Sequence, residues 1–427
     1  MLFWCVVYAI AVNRILTTYY LAGSKEIVPY GKDFSFLRMV CCVIIVEVLF
    51  IITKKIKGKN PLLNNVKDFL FVLFCVPAVL SYALFNYTYS LEFTIYSIIY
   101  WLFFSLFCGK ISFHVKPLSK LKIDVRLEIF LIFLISSLLI IYIIKEVGGI
   151  NVSVSLINVY SIRAMFKSKG SLLLTIIKAS LGCYIVPFMT VECLCEKKRL
   201  FAVGFVLLQV LLYSMAKDKI YLLLIGIAVF LGLFGKSVVL NFQKWMSLAL
   251  VGLSSINILA IFGVFYNLIF NIFTRRFFLM PVWLQNIYYE FFYDKPKIWF
   301  FQDTFFIDKL FTPIYNRSLT KIISEDFFNG AIENPNCGMV GEAFTRCGYL
   351  GVIIHPFLLV FIVNVLYIFF NGVKKETLLM FAISFCIVIS NDVISSTSFI
   401  GTITIVCLFA CCFRKTHCRE EKWINGR

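Results

Sequence analysis

Glu342 and Arg346 stand four residues apart in the run Asn334-Pro-Asn-Cys-Gly-Met-Val-Gly-Glu-Ala-Phe-Thr-Arg-Cys-Gly-Tyr-Leu-Gly351, so on a helix they share one face. That spacing serves a simple ion pair worth a few tenths of a kcal/mol. It also serves a carboxylate base set beside a phosphate-binding guanidinium. Five glycines and prolines in this stretch mark a backbone that bends and approaches something closely. Further upstream, Arg275-Arg276 opens the segment Arg275-Arg-Phe-Phe-Leu-Met-Pro281, and Tyr160-Ser-Ile-Arg163 sits in an earlier connection. Guanidinium groups keep their charge and grip phosphate oxygens with two prongs, which suits a pyrophosphate; contact with lipid headgroups is the plainer use. The stretch Tyr288-Tyr-Glu-Phe-Phe-Tyr-Asp294, with Tyr289 and Glu290 at its centre, can stack on sugar rings while its carboxylates bind hydroxyls. It reads equally as an amphipathic interfacial helix carrying an aromatic belt.

Other ionisable groups fall in or beside apolar runs, where charge is costly and tends to mark function. They are Arg14, Glu47, Glu92, Lys178, Asp218 and Asp392. Lys178 can snorkel to the surface. Asp218, between Lys217 and Lys219, reads as neutralised by its neighbours, Asn391-Asp392 as a helix cap, and His355 as a packing residue. Most of the fifteen cysteines lie in apolar runs and behave as small hydrophobes. Cys193 and Cys195, or His417 and Cys418, have no second pair at zinc-like spacing, so neither a metal nor a cofactor is expected. Cys337 and Cys347 share one long connection and are a candidate disulfide.

The elements that must hold these groups are membrane helices. The 427 residues are 61% hydrophobic and 15% charged, with a mean hydropathy of +0.90. Soluble domains carry about 25% charged residues, and no single soluble core hides such an apolar surplus. The apolar runs are continuous, so they read as spanning helices and not as barrel strands. The fold class expected is therefore an all-α polytopic membrane protein of about twelve spans. Residues 1–267 hold the first nine, at 2–20, 36–53, 68–87, 91–109, 127–145, 172–191, 200–215, 219–235 and 246–267. Residues 348–413 hold the last three, at 348–370, 377–393 and 398–413, and a basic tail fills 414–427. The apolar start at Met1 reads as a first span and not as a removed signal peptide. No inverted repeat and no matched pair of broken helices, the usual marks of a transporter, is read from the sequence.

Lys and Arg placement sets the orientation. With the N-terminus cytoplasmic, the short inner segments collect 22 of the 41 basic residues against eight acidic ones. That net of +14 is most of the chain's +18, so the charge reports topology and not nucleic-acid binding. Both termini fall in the cytoplasm. Two long connections then face outward, a smaller one at 146–171 and a large one at 268–347. The second, with eight basic and eight acidic residues and many aromatics, reads as a folded cap between the ninth and tenth spans.

Taken together, Arg275 to Pro281, the Tyr288-Tyr-Glu-Phe-Phe run, Asn336 to Gly351 and the Tyr160/Arg163 element resemble the Wzy-type polymerases of O-antigen and capsular polysaccharide. The resemblance covers the layout throughout and recognisable residues over about a fifth of the chain; the run from Gly341 to Gly351 is its most specific part. It implies a multi-pass enzyme of the bacterial inner membrane, a membrane glycosyltransferase acting on undecaprenyl-pyrophosphate-linked oligosaccharide. Such an enzyme moves the growing chain from one carrier onto a fresh repeat, without nucleotide sugar. It further implies Glu342 as catalytic base, with Arg163, Arg275, Arg276 and Arg346 on pyrophosphate and Tyr160, Tyr289 and Glu290 on substrate. The bilayer, a chain-length regulator and a flippase of the same pathway would be partners. An O-antigen ligase, or a flippase or transporter of lipid-linked oligosaccharide, are the alternatives.

Overall fold

The computed structural model describes residues 35–84, 89–113, 125–147, 171–259, 278–299, 312, 314–330, 335, 337–370 and 372–412. All regular structure among them is helical. In chain order the α-helices are α1 (Phe36–Lys55), α2 (Pro61–Leu70), α3 (Val76–Leu84), α4 (Leu91–Lys110), α5 (Val125–Val147), α6 (Leu172–Ala179) and α7 (Val186–Cys195). They continue with α8 (Arg199–Ala216), α9 (Lys219–Leu240), α10 (Phe242–Leu259), α11 (Met280–Asp294), α12 (Leu319–Phe328) and α13 (Gly338–Cys347). The last three are α14 (Gly351–Phe370), α15 (Lys375–Asn391) and α16 (Thr397–Cys412).

Eight helical stretches among the described residues are long and apolar enough to cross a membrane. The expected span at 2–20 lies outside the described residues, and that at 246–267 is described as far as Leu259. The last two expected spans coincide with α15 and α16, of 17 and 16 residues. The expected span at 348–370 starts earlier: α13 leads through a 3-10 turn at Gly348–Leu350 into α14, a run of 33 residues from Gly338 to Phe370. Gly348 makes that joint at a φ of +55°, a conformation that only glycine adopts cheaply.

The chain divides into two compact units. The first comprises Met1–Ser112, Phe242–Asn364 and Phe385–Ser396; the second comprises Phe113–Asn241, Val365–Ser384 and Thr397–Arg427. Among the long apolar spans of each, one is buried far more than the rest. In the first unit the stretch Pro61–Ala83 is 89% buried, against 33% for Phe36–Lys55, whose Ile44, Val48 and Ile51 face outward. In the second, Leu172–Cys195 is 67% buried, against 33% for Val125–Val147 and for Lys219–Leu240.

Both of these helices carry the same local irregularity. A π-helical turn at Phe71–Cys75 joins α2 to α3, and one at Ser180–Ile185 joins α6 to α7. Each runs into Val-Pro, Val76-Pro77 in one and Val186-Pro187 in the other, 110 positions apart. The Val76 N–H reaches back five residues to Phe71, and the Val186 N–H reaches back five to Leu181. Proline supplies the reason: it has no N–H and its ring clashes with the carbonyl four residues before it, and widening the preceding turn by one residue relieves the clash. Each helix stays continuous through its π-turn, so neither is a discontinuous helix of the transporter kind. Length and hydropathy do not register the turn, because a Val-Pro inside an apolar run leaves both unchanged.

Three lysines inside the units are tied down. In the first, the buried Lys67 donates from Nζ to the carbonyls of Thr53, at 2.9 Å, and Ile56, so a cation satisfies oxygens left open at the end of α1. In the second, Lys178 pairs with Asp218 at 2.8 Å, so Asp218 is not left to its sequence neighbours and Lys178 does not simply snorkel. Lys374 bridges Glu192, at 3.2 Å, and Glu196, while Thr377 donates to Glu192 at 2.8 Å. Burial pulls the Lys374 ammonium down, but the two carboxylates outweigh it and hold it above its ordinary value.

Candidate functional site

The glycine-rich run forms α13, seated against α11 in the first unit. Its N-terminus is capped from outside, because the Val340 N–H donates to Gln285 Oε1 on α11 at 2.9 Å. Gly338, at a φ of +66°, and Gly341 let α11 come this close; a Cβ on Gly338 would meet the Gln285 side chain. The Tyr288 hydroxyl donates to the Pro335 carbonyl at 2.9 Å, and Ile298 N–H to the Thr345 carbonyl at 3.0 Å. The described helices α11 and α13 are thus locked together by buried polar contacts.

On α13, Glu342 is fully buried, and its carboxylate accepts from four groups. Oε2 takes the Ile394 N–H at 2.7 Å and faces His355 Nε2 at 3.4 Å. Oε1 takes the Ser395 N–H at 3.0 Å and the Ser395 hydroxyl at 2.6 Å. Arg346, 5% exposed, donates from Nη2 to the same Ser395 oxygen at 2.9 Å. The expected Glu342–Arg346 partnership therefore runs through Ser395. On its other side, His355 Nδ1 shares a hydrogen bond with the Tyr100 hydroxyl at 2.8 Å. Glu342 thus pins the Ile394-Ser395 turn, which follows α15, onto α13 and α14. A carboxylate with its lone pairs so engaged is built to hold its neighbours, and no proton of a substrate reaches it without breaking that set.

His355 belongs to this set and is more than a packing residue. A lone histidine in an apolar run gives little warning of it, and thirteen residues beyond Glu342 is not a spacing that puts two side chains on one helix face. Ser395 gives none, since nothing in the sequence says that the turn before α16 folds back onto α13.

Aromatic rings cover the opposite flank of α13. Tyr289 lies 4.2 Å from Phe344, centroid to centroid, with Tyr96 at 5.6 Å from Tyr289 and 5.4 Å from Phe344. The Tyr96 hydroxyl donates to the Gly348 carbonyl at 2.9 Å, closing the joint between α13 and α14. Tyr289 is buried, so its ring forms the base of the cluster. The rings that face outward are Tyr293, Trp299 and Tyr349, with relative exposures of 48%, 42% and 62%. Tyr349 packs on Phe344 at 5.5 Å, and the Lys297 ammonium stands over the same Phe344 at 5.3 Å. Glu290 is exposed, one oxygen accepting from Asn286 Nδ2 at 2.8 Å.

No family model, curated protein or solved structure matches this chain. Its chemistry therefore rests on its own residues. Tyr160, Arg163, Arg275 and Arg276 lie outside the described residues; of the expected set, Glu342 and Arg346 meet on Ser395, while Tyr289 packs on Phe344 at the other flank of α13 and Glu290 bonds Asn286 on α11. No disulfide joins Cys337 to Cys347, so the candidate pairing is not formed. Among the described residues no group of three or more His, Cys, Asp or Glu side chains is placed to hold a metal.

Proposed function

We propose that the protein joins lipid-linked oligosaccharide repeats into a polysaccharide at the outer face of a bacterial inner membrane. The observation that carries this reading is the exposed aromatic face of Tyr293, Trp299 and Tyr349, set on a helix whose other flank holds buried Glu342 and Arg346. Flat aromatic faces bound by hydroxyls and a nearby ammonium suit sugar rings, which present apolar C–H faces and polar edges. In the reaction, an acceptor hydroxyl attacks the anomeric carbon of the donor chain, and the carbon–oxygen bond to pyrophosphate breaks. Arg163, Arg275 and Arg276 are assigned to the negative charge that gathers on that leaving group, where fixed cations help most. Glu342 is reassigned: its saturated carboxylate positions the turn after α15 and Arg346, and does not act as the base.

The same π-turn before Val-Pro in each unit favours a second reading, a flippase or transporter of the same lipid-linked substrate, because internal structural repeats are common in transporters. The two readings separate in a strain lacking the gene. With a polymerase, single repeats reach the surface and long chains vanish. With a flippase, carrier-linked repeats accumulate inside. Long chains left on their carrier would indicate a ligase. Complementation with Trp299→Ala or Tyr349→Ala, each checked for membrane abundance, is expected to shorten the chains; chains of wild-type length would remove the aromatic face from the site.

A further inference from the structure

With Glu342 fully engaged, the proposed reaction needs another carboxylate to take the acceptor proton, and we infer that it is Asp392. The inference rests on the polymerase reading above. Asp392 directly follows α15 and begins the connection that Glu342 clamps through Ile394 and Ser395. Its own N–H closes the helix onto the Val388 carbonyl at 2.9 Å. Its side chain does not cap that helix. The end of a helix presents carbonyl oxygens, which need donors, and a carboxylate offers none. The helix dipole is negative there too, so an acid at this place is repelled where a lysine would be welcome. Oδ1 accepts the neighbouring Val393 N–H at 2.8 Å, and the side chain is partly exposed, whereas Glu342 is wholly enclosed. Asp392 is thus a partly exposed acid at a helix end that repels its charge, bonded through the side chain only to the next residue's N–H among the described residues and mounted on a turn held by Glu342 and Arg346. It breaks a local rule for little local gain; such residues concentrate at functional sites.

In the step assigned to it, the acceptor hydroxyl oxygen forms the new bond to the anomeric carbon while its proton passes to the Asp392 carboxylate. The bond from that carbon to pyrophosphate breaks, and its electron pair leaves with the carrier. Asp392 then returns its proton to water. Glu342, Ser395 and Arg346 are positioning residues for this group.

The test uses the purified full-length chain and, as substrate, the lipid extract of a strain lacking the gene, which holds the unpolymerised repeat. The wild-type protein is expected to lengthen it. Asp392→Asn is expected to slow that reaction about 100-fold or more, with an unfolding midpoint like wild type, and Asp392→Glu to recover part of it. Glu342→Gln is expected to lower the unfolding midpoint as well. Wild-type activity in Asp392→Asn overturns the inference and leaves the polymerase reading standing. No lengthening by the wild-type protein overturns both. If Asp392→Asn fails to fold, Asp392→Ser decides: a folded, active serine variant also overturns the inference.

Discussion

The most buried span of the first unit and that of the second solve one backbone problem with different neighbours. In both, Val-Pro ends a π-turn and leaves carbonyls without their usual donors. In the second unit the gap is filled by a side chain: Gln209 on α8 donates from Nε2 to the Gly182 carbonyl at 2.7 Å and to the Tyr221 carbonyl at 3.1 Å. Val72 holds the equivalent place in the first unit, 110 positions earlier. It lines a small cavity together with Trp101, whose indole N–H is buried without a partner among the described residues, and with Asp68 and Gln243, hydrogen-bonded at 3.2 Å. Both units keep buried polar atoms with no partner among the described residues, Gln209 Oε1 being one in the second. They hold their buried acids differently: Glu192 of the second meets the Lys374 ammonium, whereas Glu342 of the first is bound by a histidine and neutral donors. An ionic clamp and a set of neutral donors satisfy a buried carboxylate by different means.

Substitutions can break or sharpen this contrast, read by denaturant titration of purified protein in mixed micelles. The largest effect is expected for Glu342→Ala, which strands the Ile394 and Ser395 donors inside the first unit: a loss of about 3–5 kcal/mol, enough to prevent accumulation of folded protein. Lys374→Ala, leaving Glu192 uncompensated in the second unit, is expected to cost about 3 kcal/mol; because that clamp is ionic, Lys374→Ala with Glu192→Gln should recover most of the loss, whereas no single neutral partner rescues Glu342→Ala. Gln209→Leu is expected to cost about 1–3 kcal/mol by orphaning the Gly182 carbonyl. Trp101→Phe in the first unit removes a donor that has no partner among the described residues, so its cost should stay below about 1 kcal/mol despite complete burial; a loss matching Gln209→Leu would erase the contrast. Smallest of all, Gly252→Ala and Gly226→Ala, at helical positions where a Cβ meets nothing, should each stabilise by less than about 1 kcal/mol, equally in the two units.

Helix class, most span positions and the crowding of cations into short connections were legible because each is a one-dimensional property. A run too apolar for water must be buried in lipid, and a continuous run must be helical to satisfy its own backbone. The pairing of Glu342 with Arg346 on one face was legible too, since four residues make about one turn. The repeated Val-Pro was present in plain view, but its meaning depends on a π-turn that hydropathy does not register. Lys178 and Asp218 are forty residues apart, and Lys67 is fourteen from the Thr53 carbonyl it caps, so neither partner could be named from spacing.

By itself, then, the sequence determined that the chain is built of apolar helices long enough to cross a membrane, and that Glu342 and Arg346 stand one helical turn apart. Only the tertiary structure decided how those two side chains are engaged. Whether a carboxylate is a base or a brace depends on how many donors reach it, and those donors come from Ile394, Ser395 and His355, which only folding brings to Glu342.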